Sequence, residues 1–315
     1  MLSTVVIALY NGEKYILEQL ESIRSQTLTP DEVIIADDGS TDKGPELVQN
    51  FISKYELTNW KLLINEKNQG WANNFVYNTK NAKGDLIFFC DQDDIWFKNK
   101  IEVMLKIMKN REICLLSCEN DFIFTDTSIR YEDVGNRANN NEIEKILFSS
   151  DSFPVLRPGC SMCIKREYFE TIYPFWKENW PHDDFCWKFA LLDGKSYYIH
   201  TFLMSRRIHG TNTSIKESKK KHRNKKGRIK QLYNMKIQYE SLLNYVEGHS
   251  VDKKVIQFLE KSIRALKLRL KFMQTKNIFI WMRLFLCYRD TYPRAKGIYL
   301  DFCIVYLGEK FSERF

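Results

Sequence analysis

Four short apolar runs, the first three each leading into a helix-length amphipathic stretch, constrain this chain more than any other feature. They are Thr4–Tyr10 (TVVIALY), Glu32–Ala36 (EVIIA), Trp60–Asn65 and Leu86–Cys90 (LIFFC). The first, second and fourth runs read as buried strands and the third as a further strand. Between them lie Glu13–Gln26, with Ile16, Leu20 and Ile23 on one helical face, then Pro45–Tyr55, opened by a proline, and Trp71–Asn81. Strands alternating with helices predict an α/β, doubly wound, mostly parallel sheet, whose ligands bind outside the carboxyl ends of the strands. The polar clusters fall at those ends: Asn11-Gly12, Asp37-Asp38, Asn68, and Asp91, Asp93 and Asp94.

The last cluster, in LIFFCDQDDIW, sets three carboxylates within four positions at the end of a buried strand. Such groups repel one another and are costly to desolvate, and a hard divalent cation such as Mg²⁺ or Mn²⁺ offsets both costs. The competing reading is a solvated acidic turn whose Asp94 caps the next helix. The glycines exclude two common nucleotide sites. No GxGxxG follows the first run, and no GxxxxGK[ST] occurs, which argues against a dinucleotide dehydrogenase and a P-loop NTPase.

Beyond a helix expected over Asn99–Asn110 and a strand near Cys114–Ser117, the pattern loosens over 125–158, with one short helix expected at Glu142–Phe148. Gly159–Ile164 reads as a strand. Trp180-Pro181-His182-Asp183-Asp184 precedes a helix running to Leu192, and Tyr197–Thr201 leads into Ser205–Ser214 (SRRIHGTNTS).

Six pieces in this order resemble family-2 glycosyltransferases: VVIALYNGEKYILEQLESIRSQT, IIADDGSTD, NQGWANN, GDLIFFCDQDDIW, HDDFCWKFALLDGKSYYI and RRIHGTNTS. The DQDDIW and HD forms are most similar to the rhamnosyltransferase-like members of bacterial surface-polysaccharide synthesis. The resemblance implies a GT-A nucleotide-sugar-binding fold over about 1–215, with a nucleotide-binding half to about 110 and an acceptor-binding half after it. It implies that Ala8, Leu9 and Tyr10 line the base pocket and that Asp37 or Asp38 accepts from the pyrimidine ring N–H. Asn74 helps to hold the nucleoside. Asp91-Gln92-Asp93 corresponds to the family's DxD, with Asp93 the direct metal ligand and Asp91 nearer the ribose or a metal-bound water. Asp183 matches the catalytic base of an inverting transfer, while the roles of His182 and Asp184 stay open. His209 is placed near the diphosphate or metal, with Arg207 or Arg206 pairing with phosphate. The implied cofactor is Mn²⁺ or Mg²⁺, the donor a UDP- or dTDP-sugar, and the acceptor a lipid-linked or growing polysaccharide. A sugar-nucleotide pyrophosphorylase is the rival enzyme, but it calls for a Gly- and Arg-rich loop where Asn11-Gly12-Glu13 stands. The non-enzymatic rival is a basic scaffold whose aspartates only cap helices.

Charge divides the chain. Residues 1–215 carry 24 basic and 31 acidic side chains, a net of −7, whereas 216–315 carry 24 and 9, a net of +15. The stretch 216–230 holds nine basic residues and one acidic, and reads as a linker or arm. Val251–Gln274 has an apolar face at helical spacing, read either as packing inward or as lying on anionic lipid. Ile278–Tyr288 and Gly297–Gly308 are too short to span a bilayer and suit an interface or a homodimer contact. An anionic membrane is the expected partner of this region, since no nucleic-acid motif accompanies the charge. With no signal-peptide pattern and eight scattered cysteines, buried structural thiols and a cytoplasmic location on the inner face of the membrane are expected.

Overall fold

The computed structural model describes residues 1–125, 139–210, 212, 224–249, 251–292 and 296–308. The chain divides into two compact units. The first comprises Met1–Leu147, Val155–Pro174 and Glu178–His209, and the second Phe148–Pro154, Phe175–Lys177 and Gly210–Phe315.

The first unit is a twisted sheet with helices on both faces. Its described strands are β1 (Ser3–Leu9), β2 (Glu32–Asp37), β3 (Trp60–Ile64), β4 (Leu86–Asp91), β5 (Ile95–Trp96), β6 (Leu115–Phe124), β7 (Ile143–Lys145), β8 (Met162–Lys165) and β9 (Ser196–Ile208). They lie in the order β3-β2-β1-β4-β8-β6-β9-β5, with β7 on β9. The first four are mutually parallel, β6 and β9 are parallel, and β8 runs antiparallel between β4 and β6. The helices are α1 (Ile16–Arg24), α2 (Gly44–Lys54), α3 (Trp71–Lys80), α4 (Lys100–Met108), α5 (Arg166–Ile172) and α6 (His182–Leu192).

The pleat sorts the side chains. Val5, Ile7 and Leu9, with Val33, Ile35, Leu86, Phe88 and Cys90, form one fully buried cluster with Ile16, Leu20 and Ile23 of α1 and Ile101 and Met104 of α4. Each such large side chain contributes about 1.5–3 kcal/mol by leaving water. The alternate residues face the other way: Phe89 meets Phe75 of α3 edge-on, with ring centroids 6.1 Å apart. Asp91 shares the Phe89 face, so the last residue of β4 is delivered to the side where α3 and α6 lie.

Three expectations are corrected. Glu142–Phe148 is not a helix: Ile143, Glu144 and Lys145 pair as an edge strand with Ile199, Tyr198 and Tyr197, where cross-strand pairing overrides local helix propensity. The last strand is thirteen residues long rather than five, so Arg206 and Arg207 stand on a strand and point to opposite sides. Asp94 caps no helix, because α4 begins at Lys100; its Oδ1 accepts the backbone N–H of Arg207 on β9 at 3.0 Å.

The second unit is helical: α7 (Lys225–Glu247), α8 (Lys253–Thr275), α9 (Ile278–Cys287) and α10 (Lys296–Tyr306). Asn224, Asp252 and Asn277 cap α7, α8 and α9 by accepting the backbone N–H of Gly227, Lys254 and Phe279. The expected linker from Lys225 to Lys230 is therefore the first turns of α7, and 216–223 lie outside the described residues. The apolar face of α8 is buried: Val255, Leu259, Ile263, Leu266 and Met273 are all 6% exposed or less, so its stripe packs inward and is not offered to lipid. Asp301, fully buried, accepts from Nε of Arg228 and of Arg269, each at 2.7 Å, and from the Tyr292 hydroxyl at 3.3 Å. All eight cysteines are free thiols, seven buried and Cys287 exposed. Among the described residues no helix is long and apolar enough to cross a membrane.

Candidate active site

The carboxyl ends of β2, β1 and β4 lie side by side because the register sets Leu9 opposite Asp37 and Ala8 opposite Asp91. Leu9 sends its side chain into the core and offers only its carbonyl to the edge, where it accepts from the N–H of Asp38 at 2.8 Å. Ala8 is half-buried, and Tyr10 is 48% exposed at the rim. Asp37 accepts from the backbone N–H of Ser40 at 3.1 Å and from the Ser40 hydroxyl. Asp38 accepts from Nδ2 of Asn65 and from the N–H groups of Gln69 and Gly70, at 3.1, 2.8 and 2.9 Å. Gly70 has a φ of 84°, a left-handed conformation that glycine adopts without steric cost, and no side chain stands where its Cβ would project. Asn74 is buried with its amide committed to protein: Nδ2 donates to the Ala36 carbonyl at 2.7 Å, and Oδ1 accepts from Asn65 and Asn78. Asn74 and Asp38 therefore tie the end of β2 to the start of α3.

The turn after β4 holds the acidic group. Gln92 accepts from the N–H of Tyr10 at 2.8 Å and donates to its carbonyl at 3.1 Å. A Cβ on Gly12 would stand 2.4 Å from Gln92 Oε1, so that approach requires glycine. Oδ2 of Asp93 lies 2.7 Å from Nε2 of His209, both side chains nearly buried. Arg207 braces this turn from behind: Nε donates to the Asp93 carbonyl at 2.9 Å, Nη2 pairs with Glu18 at 2.7 Å, and the guanidinium lies 4.6 Å from the Tyr15 ring centre. Arg206, on the opposite side of β9, is the arginine whose charge acts on Asp91 and Asp94.

Ligand atoms of Asp91, Asp94 and Cys160 lie within 4.8 Å of one another. Burial first, then the Asp93 charge, pushes both Asp91 and Asp94 above the usual carboxylate range. Oδ2 of Asp94 is buried with no hydrogen-bond partner. An orphaned carboxylate oxygen amid like charges is a site that a divalent cation fits, and carboxylate donors suit Mn²⁺ or Mg²⁺. Cys160 suits it less: burial holds its thiol well above the ordinary range, and it donates to Asp91.

Three titratable groups open α6, and their surroundings separate them. His182 is 3% exposed, its ring centroid 4.0 Å from that of Phe75 and 4.6 Å from that of Phe89; burial pushes its pKa down to about 3, so it is neutral. Oδ2 of Asp184 accepts from Nε1 of Trp180 at 2.7 Å and from Nζ of Lys188 at 2.6 Å. Asp183 has one oxygen on the Asp184 N–H at 2.8 Å and no second partner among the described residues. Burial, then Asp184, pushes its pKa up to about 6, and Asp91 lies near enough to raise it further. The 3₁₀ turn Gly159–Ser161 presses on this helix start, since a Cβ on Gly159 would fall 2.3 Å from His182 Nε2. The turn is held in turn by the buried Lys100, whose Nζ donates to the Cys160 carbonyl at 2.7 Å and sits 4.0 Å from the Trp96 ring centre.

Sequence reasoning therefore found the carboxylates but missed Gly159, Lys100 and the place of Cys160. As one of eight scattered cysteines, Cys160 read only as a buried structural thiol, and a lysine opening a helix gives no sign of burial.

The α/β sheet, the acidic turn after its fourth strand and the carboxylates opening α6 are consistent with the glycosyltransferase class to which the family match assigns the chain. Residues 4–172, more than half of the chain, match the model of Glycosyl transferase family 2, and the protein belongs to that family. It is 32% identical over 207 residues to the Shigella flexneri dTDP-rhamnosyl transferase RfbG, covering 61% of this chain and 68% of that one. The chain spans about a quarter of the length of the first curated relatives it matches. Among solved structures, Staphylococcus aureus TarS 1-349 in complex with UDP-GlcNAc superposes with a TM-score of 0.66 at 14% identity, covering all of this chain and 91% of that one. The mannosyltransferase PcManGT from Pyrobaculum calidifontis, in complex with GDP-Man and Mn²⁺, gives 0.55 at 15% identity, over 98% and 82%. These likenesses show the GT-A fold.

Proposed function

We propose that the protein is a metal-dependent inverting glycosyltransferase that moves a sugar from a UDP- or dTDP-sugar to a hydroxyl of a lipid-linked or growing polysaccharide acceptor. The observation that carries this reading is Asp183, which among the described residues has no cationic partner, whereas Asp184 is paired with Lys188, and whose pKa, pushed up to about 6 by burial, suits it to taking a proton near neutrality. Asp183 accepts the acceptor hydroxyl's proton as that oxygen attacks the anomeric carbon. Asp37, which accepts from one residue where Asp38 accepts from three, receives the pyrimidine N3–H beside Ala8 and Tyr10. Asp93 and Asp91 would hold Mn²⁺ or Mg²⁺, with His209 bonded to Asp93 and the unpartnered oxygen of Asp94 as a further donor at the same turn. When bound, the ion neutralises the charge developing on the leaving diphosphate. Arg206 adds a fixed positive charge on the same side, while Arg207 and Asn74 position the turn and the β2 edge. The acceptor is met at the inner membrane surface, through the basic second unit.

Donor choice is supported by the relatives: RfbG is named for dTDP-rhamnosyl transfer and TarS is seen with UDP-GlcNAc. A thermal-shift panel with UDP, dTDP, GDP and CMP, each with Mn²⁺ or with chelator, tests the reading. UDP or dTDP with Mn²⁺ is expected to raise Tm, since ligand at a hundred times Kd adds about 2.7 kcal/mol. Asp93→Ala is expected to abolish the metal-dependent part. A flat panel for the intact protein defeats the proposal.

A further inference from the structure

Helix α9 is built unlike the rest of the second unit. Of its ten residues only Leu284 is buried. Phe279, Met282 and Leu286 recur at helical spacing along one face and are 74%, 46% and 74% exposed, with Ile278 beside them at 38%. The inward side is anchored. Trp281 and Phe285 stack with centroids 5.5 Å apart, Trp281 meets Phe302 of α10 at 4.9 Å, and Trp281 Nε1 donates to the Ile298 carbonyl at 3.2 Å. The outward face is therefore rigidly presented and apolar, in contrast to α8, whose stripe is spent on packing.

The charge around that face identifies its occupant. From Lys261 to Arg289 the chain carries eight basic residues and no acidic one. Arg269 is consumed by Asp301, and Lys261 pairs with Asp290 at 2.7 Å. Lys271, Lys276, Arg283, Arg289 and, on α10, Lys296 are exposed. A second copy of this chain docked face to face would bring Arg283 and Lys276 against their own equivalents, at a like-charge cost. Nucleic acid would satisfy the cations and leave Phe279 and Leu286 in water. An anionic bilayer surface takes both: apolar side chains enter the acyl boundary while lysines and arginines stay at headgroup level. A ten-residue helix is about 15 Å long, so it lies in the interface.

We infer that α9 is the membrane-binding element of this protein, inserting Phe279, Met282 and Leu286 into an anionic lipid surface with Lys276 and Arg283 on the headgroups. The inference rests on the reading that the acceptor is membrane-borne, and its failure is separable from failure of the transferase reading, because nucleotide binding is measured on the same samples. Full-length protein is floated with phosphatidylcholine vesicles, with or without about 30% phosphatidylglycerol. Binding to the mixed vesicles, weakened by salt, is expected. Phe279→Glu/Leu286→Glu is expected to cut the partition coefficient at least about tenfold, with its nucleotide-induced Tm shift unchanged, since both side chains are exposed. Lys276→Glu/Arg283→Glu is expected to remove the preference for anionic lipid. The inference is overturned if the wild type does not float with phosphatidylglycerol vesicles or if Phe279→Glu/Leu286→Glu floats as well as wild type. Light scattering that shows a wild-type dimer split by Phe279→Glu/Leu286→Glu also overturns it, because a second copy then covers the face.

Discussion

Replacing Asp183, the proposed base, is expected to remove activity and to stabilise the protein. The carboxyl of Asp183 titrates near 6 in the fold against a usual value of 3.8, so folding disfavours its charged form. Raising the pKa from 3.8 to about 6 corresponds, at 1.36 kcal/mol for each tenfold change in the proton affinity, to roughly 3 kcal/mol. Because the folded value is the higher one, this cost is absent below about pH 3.8, grows as pH rises towards 6, and is constant above. Asp183→Asn deletes the charge and keeps an oxygen for the Asp184 N–H. It forfeits the favourable position of an anion in the first turn of a helix, worth about 0.3–1 kcal/mol. The burial cost is the larger quantity, so a net gain of about 2 kcal/mol is expected at pH 7.5 and almost none at pH 4. In a chain of this size that is a rise of several degrees in Tm. Transfer falls by about 10²–10⁴ in kcat, and the wild-type rate climbs with pH through about 6. Thermal unfolding in chelator at the two pH values, with initial rates on the same preparations, decides the matter. An Asp183→Asn variant that is no more stable at pH 7.5 than wild type, or that still turns over, refutes the reasoning.

Two further outcomes test the framework around the site. Gly159→Ala sets a methyl 2.3 Å from His182 Nε2 and is expected to cost about 1–3 kcal/mol in urea unfolding, a cost that His182→Ala in the same chain relieves by opening room. Asp301→Asn leaves Arg228 and Arg269 buried without their carboxylate, and a loss of about 3–5 kcal/mol is expected in the same assay.

Strands β1, β2 and β4 are legible because they are buried on both faces, so Val5–Leu9 and Leu86–Cys90 are apolar without a break, and the edge strand β3 is legible from its apolar Leu62–Ile64 although it is largely exposed. Later strands are not, because β6 and β9 interleave Glu119, Asn120, Ser205 and Arg206 with apolar residues and owe their length to each other's register. The seven residues of α5 and the polar surface of α7 carry too little periodicity to stand out. At the site, the carboxylates announce themselves in sequence, but their division of labour does not. That Asp184 is spent on Lys188, that His182 is sealed among aromatic rings, and that Arg206 rather than Arg207 faces Asp91 are decided by burial and strand alternation. Tripeptide order does not contain them.

The glutamine between Asp91 and Asp93 is more than a spacer. Its side-chain amide matches the backbone N–H and carbonyl of Tyr10 as another peptide group would, adding one rung to the ladder between β1 and β4 after the strands themselves have parted. On the proposed reading, the wall that would receive a nucleobase and the wall that would receive its phosphates are thereby locked to one another. A donor that shifted the acidic turn would carry Tyr10 with it, so recognition of the base and placement of the diphosphate would become a single mechanical event.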